Sequence, residues 1–187
     1  MNGILSTIEA QQAPQDQEGE CVFLTWLPSP LGQLVAGATA AGVCLLEFTD
    51  RGMLEVEFAA VRRVFKAPLV TGSNHHLARL QAELAGYFGG SVRHFTVPLV
   101  CPGTPFQRRV WEQLLAVPYG DRRTYEQIAL AVGKPKAARA VGRANGLNRI
   151  AILIPCHRLV NKGGQLAGYG GGLWRKQFLL DLEGTNA

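Results

Sequence analysis

The sequence predicts an α+β protein in two unlike parts, a small antiparallel-sheet domain over residues 21–98 and a mostly helical domain over residues 106–187. Three observations carry that reading. Short apolar runs broken by turns fill the chain from Cys21 to Phe48, apolar residues at helical spacing follow, and two helix-capping signals appear beyond a proline-rich joint. With 187 residues, 47% of them hydrophobic, the chain can bury a substantial core.

Residues 1–20, rich in Gln, Glu and Ala, show no apolar period and no capping signal, and read as a mobile leader. The runs 22–27, 33–36 and 42–48 read as strands, the first two joined by the turn Ser29-Pro30-Leu31-Gly32. Residues 53–65 and 75–88 read as helices, the second with Leu77, Leu80, Leu84 and Phe88 three and four residues apart. Pro98, Pro102, Gly103 and Pro105 mark a linker over 99–105. Thr104 caps a helix opening on Pro105, where a missing N–H costs nothing, and Phe106, Val110 and Leu114 form its apolar stripe. Thr124 with Gln127 is a capping box, and Gly133 ends the helix it opens. A third helix is predicted over 136–147, and the short glycine-containing joint before it gives a helix-turn-helix. The run 150–154 reads as a buried strand that Pro155 stops.

Charge is distributed as unevenly as structure. Residues 1–100 hold six Lys/Arg against nine Asp/Glu, and residues 101–187 hold thirteen against five, so the net +5 belongs to the second half. A polyanion, if the protein meets one, meets that half. Lys136, Arg139 and Arg143 would form one basic stripe on the third helix, where Ala137, Ala140, Val141 and Ala144 are small enough for close packing. Such a stripe fits a solvated surface or DNA, and its place behind a helix-turn-helix joint favours DNA. No run approaches the ~18 apolar residues of a membrane span and no secretory signal opens the chain, so a cytoplasmic protein without membrane contact is expected. Cys21, Cys44, Cys101 and Cys156 form no CxxC pair and are expected to stay reduced.

Cys156, His157 and Arg158 follow the 150–154 run. A thiol beside an imidazole and a guanidinium has the neighbours of a nucleophile, although an isolated Cys-His pair is more often a small core residue and a satisfied histidine. The wider pattern is more specific. Gly103-Thr104-Pro105-Phe106-Gln107, Val110-Trp111, Pro118-Tyr119-Gly120, Ala137-Ala138-Arg139-Ala140-Val141-Gly142, Ala144-Asn145-Gly146-Leu147-Asn148, Ile154-Pro155-Cys156-His157-Arg158-Leu159-Val160 and Gly168-Tyr169-Gly170-Gly171-Gly172-Leu173 occur in succession. Together they resemble the O6-alkylguanine-DNA alkyltransferases, also called methylated-DNA–protein-cysteine methyltransferases, closely over 103–184 and loosely over 22–100.

That resemblance implies an RNase H-like first domain, a winged-helix-like second domain, and direct-reversal DNA repair. An alkyl group would pass irreversibly, one per protein, from O6-alkylguanine in duplex DNA to Cys156 after nucleotide flipping, with O4-alkylthymine left open as a second substrate. By the same resemblance His157 draws the thiol proton through a bridging water, and Glu183 orients the imidazole. Adjacent side chains of an extended segment point apart, which suits a relay. Tyr125 matches the tyrosine that stabilises the departing guanine and crowds the phosphate of the flipped nucleotide. Arg139 matches the arginine that fills the vacated base stack, on a recognition helix lying in the minor groove, with Lys136, Ala138 and Arg143 also on the DNA side. Asn148 matches an asparagine that holds the active-site segment by backbone hydrogen bonds. Leu159, Tyr169, Gly170 and Gly171 match the walls of the base pocket.

One departure stands out: the family has proline after the asparagine, where this chain has Arg149, which removes a restraint on Asn148 and adds a cation for a phosphate. No cofactor and no obligate protein partner are implied. Cys21, Cys44, His75 and His76 do not reproduce the zinc patterns of some members, so no metal is expected. With no room for their zinc or transcription-activator domains, a stand-alone, bacterial-type monomer is the expectation. Two other classes compete. A lesion-binding module of the alkyltransferase-like kind would lack the cysteine, and Cys156, His157 and Glu183 argue against it. A cysteine hydrolase with a Cys-His-Glu arrangement conflicts with the order of the motifs.

Overall fold

The computed structural model describes residues 21–52 and 54–186, so the expected leader over 1–20 lies outside the described residues. The chain divides into two compact units. One holds the described residues up to Ala85 together with Phe95–Val100, and the other holds Gly86–His94 and the chain from Cys101 onward. No helix among the described residues is long and apolar enough to cross a membrane.

In the first unit the three expected strands form as β1 (Val22–Leu27), β2 (Leu34–Thr39) and β3 (Gly42–Phe48), paired antiparallel. A fourth strand, β4 (Leu69–Thr71), joins β1 in parallel and completes the order β3-β2-β1-β4. Three residues are too few to show an alternation, which is why the sequence pattern does not reveal it. β2 runs three residues past its expected end because Gly37 lets the sheet close: a Cβ there would lie 3.0 Å from Leu45 Cβ. Helix α1 (Leu54–Phe65) lays Leu54, Phe58 and Val61 onto a core with Leu24, Val35 and Leu45. Helix α2 (His75–Phe88) opens on Asn74, whose side chain accepts from the Leu77 amide at 3.0 Å.

The second unit is built from α3 (Pro105–Leu115), β5 (Arg123–Thr124), α4 (Tyr125–Ala131), α5 (Ala138–Gly146), β6 (Leu159–Val160) and α6 (Leu173–Thr185). Both capping boxes form, Thr104 with Gln107 and Thr124 with Gln127. Gly133, at φ +73°, ends α4 with the paired bonds of a Schellman turn: its amide reaches Leu130 O at 2.9 Å and the Lys134 amide reaches Ala129 O at 2.8 Å. The Trp111 indole donates to Ala144 O at 3.0 Å and ties α3 to α5.

Two segments differ from what the sequence predicts. Helix α5 starts at Ala138, because Pro135 sits inside a turn closed by the Ala137 amide on Lys134 O at 2.8 Å, and Lys136 lies in that turn. The basic stripe on the helix is therefore Arg139 and Arg143 alone. The run 150–154 is buried as expected but is a series of tight turns rather than a strand, with Ile152 at φ +70°. Asn148 holds it: its side-chain amide donates to Ile150 O and Ile154 O at 3.3 and 3.0 Å, and its oxygen accepts from the Ile150 amide at 3.0 Å.

Candidate active site

Cys156, His157 and Arg158 form one turn of 3₁₀ helix after Pro155, not the extended segment expected, and all three are buried. At three residues per turn, adjacent side chains still diverge by about 120°, so Cys156 and His157 face different ways. None of the four cysteines is in a disulfide.

Glu183, buried on α6, gathers the polar groups behind Cys156. Its Oε1 accepts from His157 Nε2 at 2.9 Å, Arg158 Nη2 at 2.9 Å and the Tyr87 hydroxyl at 2.8 Å. Its Oε2 accepts from Arg158 Nε at 2.8 Å and the Gly120 amide at 3.2 Å. Burial pushes this carboxyl up, but hydrogen bonds and charge from His157 and Arg158 outweigh it and hold the pKa at about 2. A permanent carboxylate can only accept, so His157 Nε2 carries the proton and Nδ1 presents a lone pair. That Nδ1 is buried and takes no hydrogen bond from the described residues. Burial also drives the imidazole pKa down, against the pull of Glu183, and the ring rests neutral. Tyr87 stays a donor because burial, and then the Glu183 charge, push its phenol far above the usual range.

Tyr87 and Gly120 are partners of Glu183 that the sequence reading misses, and it gives Arg158 a different role. Arg158 was expected to act on the thiol, but it is committed to Glu183 in a bidentate pair, with Nη1 on Val117 O at 2.6 Å and its guanidinium 5.8 Å from the Tyr119 ring. Lys176, also missed, is fully buried and donates to Leu159 O and, at 2.6 Å, to Ala167 O.

Tyr125, the first residue of α4, donates to Ala167 O at 3.2 Å. Its ring borders Gly142 of α5, where a Cβ would lie 3.7 Å away, and its hydroxyl is 3.5 Å from the corresponding position at Gly168. Among the expected pocket residues, Leu159 and Gly171 are buried, Tyr169 is half-buried and Gly170 is exposed. On the outer side of α5, Arg139 and Arg143 are exposed and Ala138 half-buried, with Lys136 exposed in the preceding turn. Arg149 is half-buried.

Known proteins share this pattern. Residues 105–185 match the family described as 6-O-methylguanine DNA methyltransferase, DNA binding domain. The chain is 42% identical over 146 residues to the methylated-DNA–protein-cysteine methyltransferase of Methanosarcina barkeri, covering 78% of this chain and 92% of that one. It is 48% identical over 162 residues to the constitutive methylated-DNA–protein-cysteine methyltransferase of Bacillus subtilis, covering 86% and 94%. The crystal structure of Mycobacterium tuberculosis OGT in complex with DNA matches with a TM-score of 0.77 at 37% identity, over 89% of this chain and 95% of that one. With matches spanning nearly the full length of each relative, the chain belongs to the methylated-DNA–protein-cysteine methyltransferase family.

Proposed function

We propose that the protein repairs DNA by direct reversal, as a methylated-DNA–protein-cysteine S-methyltransferase that takes the alkyl group of O6-alkylguanine in duplex DNA onto Cys156. The observation that carries this reading is the buried Glu183–His157 bond of 2.9 Å, which fixes the imidazole as a proton acceptor one residue from the thiol. His157 Nδ1 takes the Cys156 proton through a water that bridges the diverging side chains. The thiolate then attacks the alkyl carbon in line. The S–C bond forms as the C–O6 bond breaks, the electron pair leaves with the guanine, and Tyr125 stabilises the departing base by donating a hydrogen bond. A thioether is no leaving group, so each molecule acts once.

Residues 106–187 supply both the DNA contacts and the acceptor. Arg139 fills the stack left by the flipped nucleotide, Arg143 and Lys136 meet phosphates, and Ala138 allows a close approach. Asn148 keeps the 150–154 turns in place beneath Cys156. Leu159, Tyr169, Gly170 and Gly171 wall the base pocket. The protein works in the cytoplasm as a monomer, a setting that four cysteines outside disulfides suit.

Incubation with one equivalent of an oligonucleotide carrying O6-methylguanine, followed by intact and peptide mass, tests this. One methyl group should appear on Cys156 and none on Cys156→Ala. Sustained turnover of several lesions per protein would sink the mechanism.

A further inference from the structure

Lysine is among the residues least often buried without an ionic partner, yet Lys176 has no exposed surface. Its ammonium rests on two carbonyls, Leu159 O in β6 and Ala167 O, and the second of these also accepts from the Tyr125 hydroxyl. Neither carbonyl cancels its charge. No carboxylate pairs with it among the described residues, and Glu183, on the same helix, is bonded to Arg158 and His157. A buried cation left in this state is costly unless negative charge develops beside it.

The neighbouring charges identify where that happens. Lys176 bonds to the strand that leaves the 3₁₀ turn, shares the Ala167 carbonyl with Tyr125 of α4, and acts electrostatically on Cys156 and His157 of that turn, whose own next neighbours are Arg158 and Glu183. Arg158 and Glu183 offset each other in their bidentate pair. Burial, with Lys176 and Arg158 adding to it, keeps His157 neutral, and burial keeps Tyr125 protonated. What remains is one uncompensated cation and one thiol. We propose that Lys176 is the counter-charge against which the Cys156 thiolate forms, a positioning residue for alkyl transfer that acts through the sulfur rather than on the lesion. The inference rests on the repair reading above and deepens it. Burial depresses the ammonium to about 8 while the Cys156 charge pushes it back up, so near neutral pH the cation is in place when the thiolate is needed. The same charge opposes protonation of His157, which keeps the imidazole ready to accept.

Lys176→Met removes the charge at nearly constant volume. In a Cys101→Ser background, which keeps the half-buried Cys101 from reacting, carbamidomethylation of Cys156 by iodoacetamide is followed from about pH 6 to about pH 10. The midpoint should move up by about one pH unit or more, with a rate near neutrality about tenfold lower. A residue that only clamps the loop would weaken binding of lesion-bearing duplex and leave that midpoint unmoved, and this result would overturn the proposal. A second measurement needs no substitution at Lys176. NMR of lysine labelled at ¹³Cε should show the Lys176 titration moving to lower pH once Cys156 is carbamidomethylated, because the uncharged thioether no longer supports the cation. An unchanged titration would overturn the proposal whether or not the Met variant folds. A protein that accepts a methyl group from DNA on Cys156 but shows neither shift would keep the repair reading and lose this one.

Discussion

Two regions of the second unit are built on opposite principles. Behind Cys156, Glu183, His157, Arg158 and Tyr87 are buried and bonded to one another, so that Glu183 alone accepts five hydrogen bonds. On the outer side of α5, Arg139 and Arg143 are exposed, and Lys136 stands in the turn before it. A buried, mutually bonded cluster has fixed geometry, and losing one member leaves the others unsatisfied. Exposed cations act more nearly one at a time, in high dielectric, and are screened by salt. Under the proposed function, chemistry that must place a proton sits in the first kind of region, and attachment to a long polyanion in the second.

The largest expected effect of breaking this contrast is on stability. Glu183→Gln strands the buried Arg158 guanidinium and should cost about 3–5 kcal/mol in urea unfolding at neutral pH. The sign of its pH dependence follows from the depressed carboxyl. A group held at about 2 against an ordinary 4.5 contributes stability that is complete above 4.5 and is lost as pH falls toward 2. Wild type should thus lose stability over that acid range, and the variant should lack this component. A variant as stable as wild type, with the same acid limb, would mean that the cluster is not coupled.

Arg139→Ala should come next, slowing single-turnover repair of a lesion in duplex DNA by about 10- to 100-fold, the worth of ~1.5 to 3 kcal/mol recovered in the stack. The reaction with a free alkylated guanine base should barely change. Equal losses on both substrates would mean that Arg139 supports the active site itself rather than extrusion of the nucleotide. Smallest are Arg143→Ala and Lys136→Ala, each expected to weaken duplex binding a few-fold and to lower the slope of log affinity against log salt by about one. An unchanged slope would remove either residue from the phosphate contacts.

What was legible in the sequence divides along the same line. The capping boxes at Thr104 and Thr124 and the stop at Gly133 could be read because each is made by residues within a few positions of one another. The exposed cations Lys136, Arg139 and Arg143 were visible as composition, although Pro135 moves Lys136 off the helix. The buried cluster was only partly visible. Cys156, His157 and Glu183 came through family resemblance, whereas Tyr87 and Gly120 lie 96 and 63 residues from Glu183 and no local pattern links them. Arg158 and Lys176 look like surface residues until the fold removes their water. The 150–154 run misled because apolar composition reports burial, not conformation, and the side chain that bends it, Asn148, lies outside the run.

The most direct test of the central claim is a double-mutant cycle on the rate of methyl transfer from lesion-bearing duplex to Cys156, using His157→Ala, Glu183→Gln and the pair together. If the buried cluster acts on the thiol as one unit, through the imidazole that Glu183 fixes, the double variant should be scarcely slower than His157→Ala alone. Rate losses that multiply independently would contradict the account and leave Glu183 a role in the fold only.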